Sequence, residues 1–212
     1  MSYDSIELTD TSWMAVQESD LDFIIATLRL QPLKHCSYFD CEDTIRATGV
    51  ANHRDWPNLD HVFVSIQLNG WRLLVGDYFG AAPDHKDPDD QRPSYKATVE
   101  YCKKLSRNKQ VACAFTDQPC IDWYSWIRAE NARIMRQVVY EDGIFVSQTG
   151  SPCKFEHKLI AEFALECPAE PWAPDVENVA RIAKAWSFDP NRTIRRLRTG
   201  WLCSTQRSAI AT

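Results

Sequence analysis

The chain of 212 residues has only seven glycines, which leaves few places for a backbone cradle around a phosphate. Neither GxGxxG nor GxxxxGK[ST] occurs. GxSxG and HExxH are also missing, so the signatures of an α/β-hydrolase nucleophile and of a zinc peptidase are absent. No apolar run approaches the roughly 20 residues that span a bilayer, so no membrane partner is expected. The opening MSYDSIELTD is acidic and has no apolar h-region, so no secretory leader is expected. The expected compartment is therefore the cytoplasm, where thiols stay reduced.

The cysteines form no CxxC pair. Cys36 and Cys41 stand too far apart for a zinc knuckle, and His35 adjoins Cys36 instead of following at ligand spacing. No metal and no cofactor are expected on these spacings. His35, His53, His61, His85 and His157 are scattered, and none sits in a known catalytic spacing. A Cys–His pair assembled in space stays open, but Cys102 falls on the apolar face of a helix and Cys113 within a strand, where buried inert thiols are expected. No catalytic set is assigned, and the chain is not expected to be an enzyme.

Against these absences stand eight tryptophans and a formal net charge of −5. Most tryptophans are expected in the core, with some as interface anchors, because tryptophan, tyrosine and arginine dominate binding hot spots. The acidic balance argues against nucleic acid as a partner. Charge is uneven: Asp4, Glu7, Asp10, Glu18, Asp20 and Asp22 face only Arg29 in the first thirty residues, whereas Arg192, Arg195, Arg196, Arg198 and Arg207 make the end basic. The stretch PDHKDPDD lacks the spacing, glycine and terminal glutamate of an EF-hand loop, so it reads as a solvated loop or as an acidic contact surface for a basic partner.

The clearest element is HVFVSIQLNGWRLLVGDYF, two apolar runs around Asn69–Gly70, which is the signature of a type I′ hairpin. FIIATLRLQP, from Phe23, reads as a strand, CEDTIRATGV as a short helix and ANHRDWPNLD as a loop. SYKATVEYCKKLSRN has helical spacing with Ser94 as a cap, and QVACAF reads as a strand. DWYSWIRAENARIMR, from Asp122, fits either a helix or a hairpin. Its β-branched and aromatic density and the Asp142–Gly143 turn that follows favour a three-stranded meander. Trp123, Ser125 and Ile127 then face one way, and Tyr124, Trp126 and Arg128 the other. CKFEHKLIAEFAL and DVENVARIAKAWSF are amphipathic helices, the second capped by Asp175, separated by the proline-rich loop PAEPWAPD. NRTIRRLRTGWLCS returns as a short helix or strand. The expected architecture is a single α+β domain over residues 1–212, with a mainly antiparallel sheet of hairpins and a meander and helices packed on one face.

WRLLVG at Trp71–Gly76, YCKKLS at Tyr101–Ser106, DWYSWIRAENARIMR at Asp122–Arg136 and AWSFDP at Ala185–Pro190 follow one another in this order. The ordered set resembles that of a group of bacterial proteins with a tryptophan-led hairpin strand, a C-x-x-L-S helix, a W-x-x-A-E-x-G-x-x-x-R hairpin and a closing W-S-x-D-P. Several members are similar to immunity proteins encoded beside toxin domains of secretion-system and Rhs-type polymorphic effectors. The resemblance spans roughly Leu59 to Pro190. Ala132 stands where the pattern has glycine, and the strand at Val111–Phe115 lacks the pattern's glutamine.

The resemblance implies a protein that binds a cognate toxin domain one to one and blocks its active site. An ADP-ribosyltransferase or a nuclease is the implied toxin, and an acidic binder suits the basic active site of either. It carries no catalytic residues across, since the matching positions are mostly tryptophans, leucines and small residues. The contacts expected from loop position and chemistry are Trp56, Asp84, Asp87, Asp89, Asp90 and Trp172. The alternatives are a hydrolase that reverses a toxin's modification and a non-catalytic regulatory module.

Overall fold

The structure is a computed structural model that describes residues 11–17, 20–41, 61–79, 95–119, 122–190 and 197–205. One nine-stranded sheet runs through them in the order β2-β9-β3-β4-β1-β5-β6-β7-β8, with every pairing antiparallel. The strands are β1 (Thr11–Gln17), β2 (Leu30–Cys36), β3 (His61–Ser65), β4 (Trp71–Val75), β5 (Val111–Gln118), β6 (Trp123–Glu130), β7 (Arg133–Glu141), β8 (Ile144–Thr149) and β9 (Gly200–Thr205). Among the described residues the α-helices are α1 (Leu21–Leu28), α2 (Tyr95–Leu105), α3 (Lys154–Glu166) and α4 (Val176–Trp186), with one 3-10 turn at Asp77–Phe79. The architecture is thus α+β with a large antiparallel sheet.

Helices α3 and α4 pack on one face, over a core that includes Trp13, Phe115, Tyr124, Trp126, Val138 and Trp186. The structure adds α1 and α2 on the opposite face, over Met14, Val64, Leu74, Ala114, Trp123 and Ile127. The central strands are therefore buried on both faces, and they read as near-continuous apolar runs instead of a clean alternation. Among the described residues no helix is long and apolar enough to cross a membrane.

The hairpins form where the turn chemistry places them. Asn69 and Gly70 both take positive φ (50° and 83°), as the I′ turn between β3 and β4 requires. Asp142 and Gly143 repeat the geometry between β7 and β8 (50° and 84°). The segment after Asp122 is a hairpin and not a helix: β6 and β7 pair from Trp123–Glu141 to Glu130–Arg133. Trp123 and Ile127 enter one core, and Tyr124 and Trp126 the other.

The β6–β7 turn is made by Asn131 and Ala132, at φ 48° and 62°. Alanine is strained in this region, where a Cβ costs roughly 1–2 kcal/mol. Ser106, at the end of the C-x-x-L-S stretch, holds the turn in place: the Ala132 N–H donates to Ser106 Oγ at 3.1 Å and lies 3.3 Å from the Ser106 carbonyl. Ala132→Gly is expected to stabilise the fold by about 0.5–1 kcal/mol, the relief of strain being partly offset by glycine's chain entropy. Chemical denaturation of the variant against the parent checks it.

Two segments differ from the reading of the sequence. Phe23–Leu28 is not strand but the body of α1. The Asp20 side chain caps the helix by accepting from the Asp22 N–H at 3.3 Å, and Arg29 ends it in the left-handed region at φ 54°. Ile24 and Leu28 lie one turn apart and are both buried, so tertiary burial overrides the β-branched preference. Strand begins only at Leu30. Thr11–Gln17, for which the sequence suggested no element, is β1, the strand joining β4 to β5. The short helix expected in CEDTIRATGV lies, beyond Cys41, outside the described residues, as do the loop ANHRDWPNLD, the loop of PDHKDPDD and the Ser94 cap. Of the basic stretch after Asn191, the part from Gly200 is strand β9.

Candidate partner-binding surface

At one end of the sheet, β6, β7, β8 and the loop between α3 and α4 bring aromatic rings together. The Tyr124 and Tyr140 rings lie 6.3 Å apart across the β6–β7 ladder, where they are direct partners. Tyr140 meets Phe145 edge-on at 5.1 Å. Phe145 stacks on Trp172 at 5.7 Å, and Trp172 meets the buried Trp126 edge-on at 6.0 Å. Trp172 is half-buried and covers this end of the core. Among the described residues nothing accepts a hydrogen bond from its buried Nε1.

Carboxylates surround the rings. Asp122 accepts from the Gly143 N–H at 3.2 Å, which ties the start of β6 to the β7–β8 turn. Asp175 caps α4 by accepting from the Asn178 N–H at 2.7 Å. Asp142 is exposed in the turn. No described cation forms an ion pair with Asp122, Asp142 or Asp175. Their field reaches the phenols: burial, then Asp122, Asp175 and Asp117, push the Tyr124 hydroxyl up. Burial, then Asp122 and Asp142, do the same to Tyr140. Both residues are buried, at 6% and 4% exposed, and their hydroxyls stay protonated beneath the acidic rim. The aromatic area left to solvent is that of Phe145 and Trp172, and such area beside negative charge is the chemistry that a basic protein surface fits.

Of the six contact residues expected from the sequence, Trp172 alone lies among the described residues. Trp56, Asp84, Asp87, Asp89 and Asp90 lie outside them. The structure joins Trp172 through Phe145 to Tyr140 and Tyr124, whose near carboxylates are Asp122 and Asp142, and none of these was singled out as a contact. Each of them reads from the sequence as sheet or turn, and only the register of β6, β7 and β8 gathers them beside the α3–α4 loop.

Directly beneath lies a buried polar network. Glu156 on α3 is 0% exposed and Arg136 on β7 is 4% exposed. Glu156 Oε1 accepts from Arg136 Nε at 2.8 Å and from Trp126 Nε1 at 3.1 Å, and its Oε2 accepts from the Cys153 N–H at 3.0 Å. Arg136 Nη1 also donates to the Gly150 carbonyl at 2.9 Å. Trp126 and Arg136, the first and last residues of the hairpin motif, thus meet on one carboxylate. With these partners the network fixes α3 to the sheet under Trp172.

Four buried thiols offer little nucleophilic chemistry. Burial pushes Cys113 up to about 12 and Cys102 well above the usual thiol range. Burial and a hydrogen bond with Cys36 push Cys41 up to about 12, and burial does the same to Cys203. The seven described cysteines are all free thiols. Among the described residues no cluster of histidine, cysteine, aspartate and glutamate has the geometry to hold a metal ion. No protein-family model matches the chain, and no curated protein or solved structure is significantly similar to it.

Proposed function

We propose that this protein is an immunity protein that binds a cognate bacterial toxin domain one to one and neutralises it by covering the toxin's active site. The observation that carries the reading is the half-exposed pair Phe145 and Trp172, seated on the buried Tyr124 and Tyr140 and flanked by Asp122, Asp142 and Asp175. The order of the four sequence motifs supports the family. A toxin that handles nucleic acid or NAD carries a basic active site, and this surface complements it. Within that class an ADP-ribosyltransferase is favoured over a nuclease, through the association with Rhs-type effectors alone.

Trp172 is the anchor of the surface. Trp172→Ala is expected to weaken binding by at least about 2 kcal/mol, roughly thirtyfold in Kd. Calorimetric titration of the parent and the variant with the product of the upstream gene, the expected toxin, measures it. The variant's melting curve separates lost contact from lost fold. A correctly folded Trp172→Ala protein that binds as tightly as the parent contradicts this placement of the contact.

A further inference from the structure

The two edges of the sheet are unlike. Edge strand β2 carries Pro32, which has no N–H to offer, Lys34, and a register shift between them. These are the usual devices that stop a strand edge from pairing with another chain. The other edge, β8, reads Ile-Phe-Val-Ser-Gln-Thr, with neither a charge nor a proline. Its one irregularity is a bulge opposite Val139–Tyr140 that leaves Val146 unpaired. Among the described residues no strand or helix lies beyond β8, and its outward N–H and C=O groups have no partner there. Ile144 and Val146 on this edge are 64% and 37% exposed. The strand begins beside Glu141, Asp142 and Asp122, so the open edge starts in negative potential.

We infer that β8 is the strand on which the partner docks: an extended, lysine- or arginine-bearing segment of the toxin adds as a tenth strand, with its basic side chains toward Asp122, Glu141 and Asp142. This deepens the toxin-binding reading and rests on it for the identity of the partner. Main-chain hydrogen bonds to an edge supply affinity with little dependence on sequence, while pockets for alternate side chains and local charge choose the occupant. A second copy of this chain fits the edge less well, because each copy carries a net charge of −5. The half-exposed Phe145 and Trp172 flank the edge on one face and would receive the apolar side chains of the added strand.

Hydrogen exchange of the full chain tests this independently of any toxin. The probes are an octapeptide of alternating lysine and valine and its counterpart of alternating glutamate and valine. With the lysine peptide at about ten times its Kd, exchange at the outward amides of Ile144–Thr149 is expected to slow by roughly tenfold. The glutamate peptide is expected to leave them unchanged. Ile144→Lys with Val146→Lys, which places on β8 the charge that already guards β2, is expected to abolish the protection. Leu33→Lys on the guarded edge is expected to leave it intact, and both variants are expected to keep the parent's melting temperature. Equal protection by both peptides, protection by neither, or protection that rises with protein concentration alone would each overturn the inference. A toxin complex that forms without slowing β8 exchange would overturn it too while leaving the immunity reading standing.

Discussion

Glu156→Ala is expected to destabilise the fold by roughly 3–5 kcal/mol, as breaking a buried ion pair does when it strands the partner charge. Its carboxylate is the single acceptor that joins Arg136 on β7, Trp126 on β6 and the Cys153 N–H at the start of α3. Removing it leaves the Arg136 guanidinium 4% exposed with only the Thr149 and Gly150 carbonyls to receive it. The same change opens the capping box of α3. Replacing both partners, Arg136→Met with Glu156→Leu, is expected to cost less than Glu156→Ala alone, because no charge is then left unpaired. It does not restore the parent, since Trp126 Nε1 still loses its acceptor. Urea denaturation of the single, double and parent proteins measures all three. A double variant less stable than the single would show that the pair itself, and not the stranded charge, dominates.

Trp13→Ala is expected to cost about 3–5 kcal/mol, the range for emptying a large aromatic from a packed core. Trp13 is wholly buried in β1, stacks on Phe115 at 5.5 Å, and lies opposite Val75 in β4 as well as Phe115 in β5. The lost contacts therefore fall on the strand that joins the two halves of the sheet. None of the described residues accepts from its Nε1. Trp13→Phe, which removes no described hydrogen bond and keeps most of the volume, is expected to cost markedly less. Thermal denaturation of both variants distinguishes them. A cost for Trp13→Phe close to that of Trp13→Ala would mean that the indole N–H, and not ring volume, holds this position.

How much of this was legible depended on whether the signal was local. Asn69–Gly70 and Asp142–Gly143 specify their turns through residues that tolerate positive φ, and both hairpins follow. The faces of α2 and α4 follow from apolar spacing, and the Asp175 cap from the residue before the first helical turn. In contrast, β1 contributes Trp13 to one core and Met14 and Val16 to the other. A strand buried on both faces has no alternation to read, and this one follows an acidic stretch. Helix α1 was hidden because Ile24 and Ile25 favour strand locally, and only the Asp20 cap marks the start of a helix.

The candidate surface was legible in part. A tryptophan in a proline-rich loop points to Trp172, but not to the rings beneath it. Tyr124, Tyr140 and Phe145 converge because β6, β7 and β8 pair in one register, which is a property of the whole sheet. Glu156 was the least visible residue. A glutamate within KFEHKLIAEFAL reads as solvated, and its partners lie 20 and 30 positions away in the chain.

The most direct test of the immunity reading is to co-express this protein with the product of the gene upstream of its own, titrate that product's toxicity with increasing amounts of this protein, and run size exclusion of the mixture. The account predicts inhibition that is complete at one equivalent, with both chains eluting as a one-to-one complex. Protection at a small fraction of an equivalent, with no complex on the column, would contradict it and indicate an enzyme that reverses the toxin's modification.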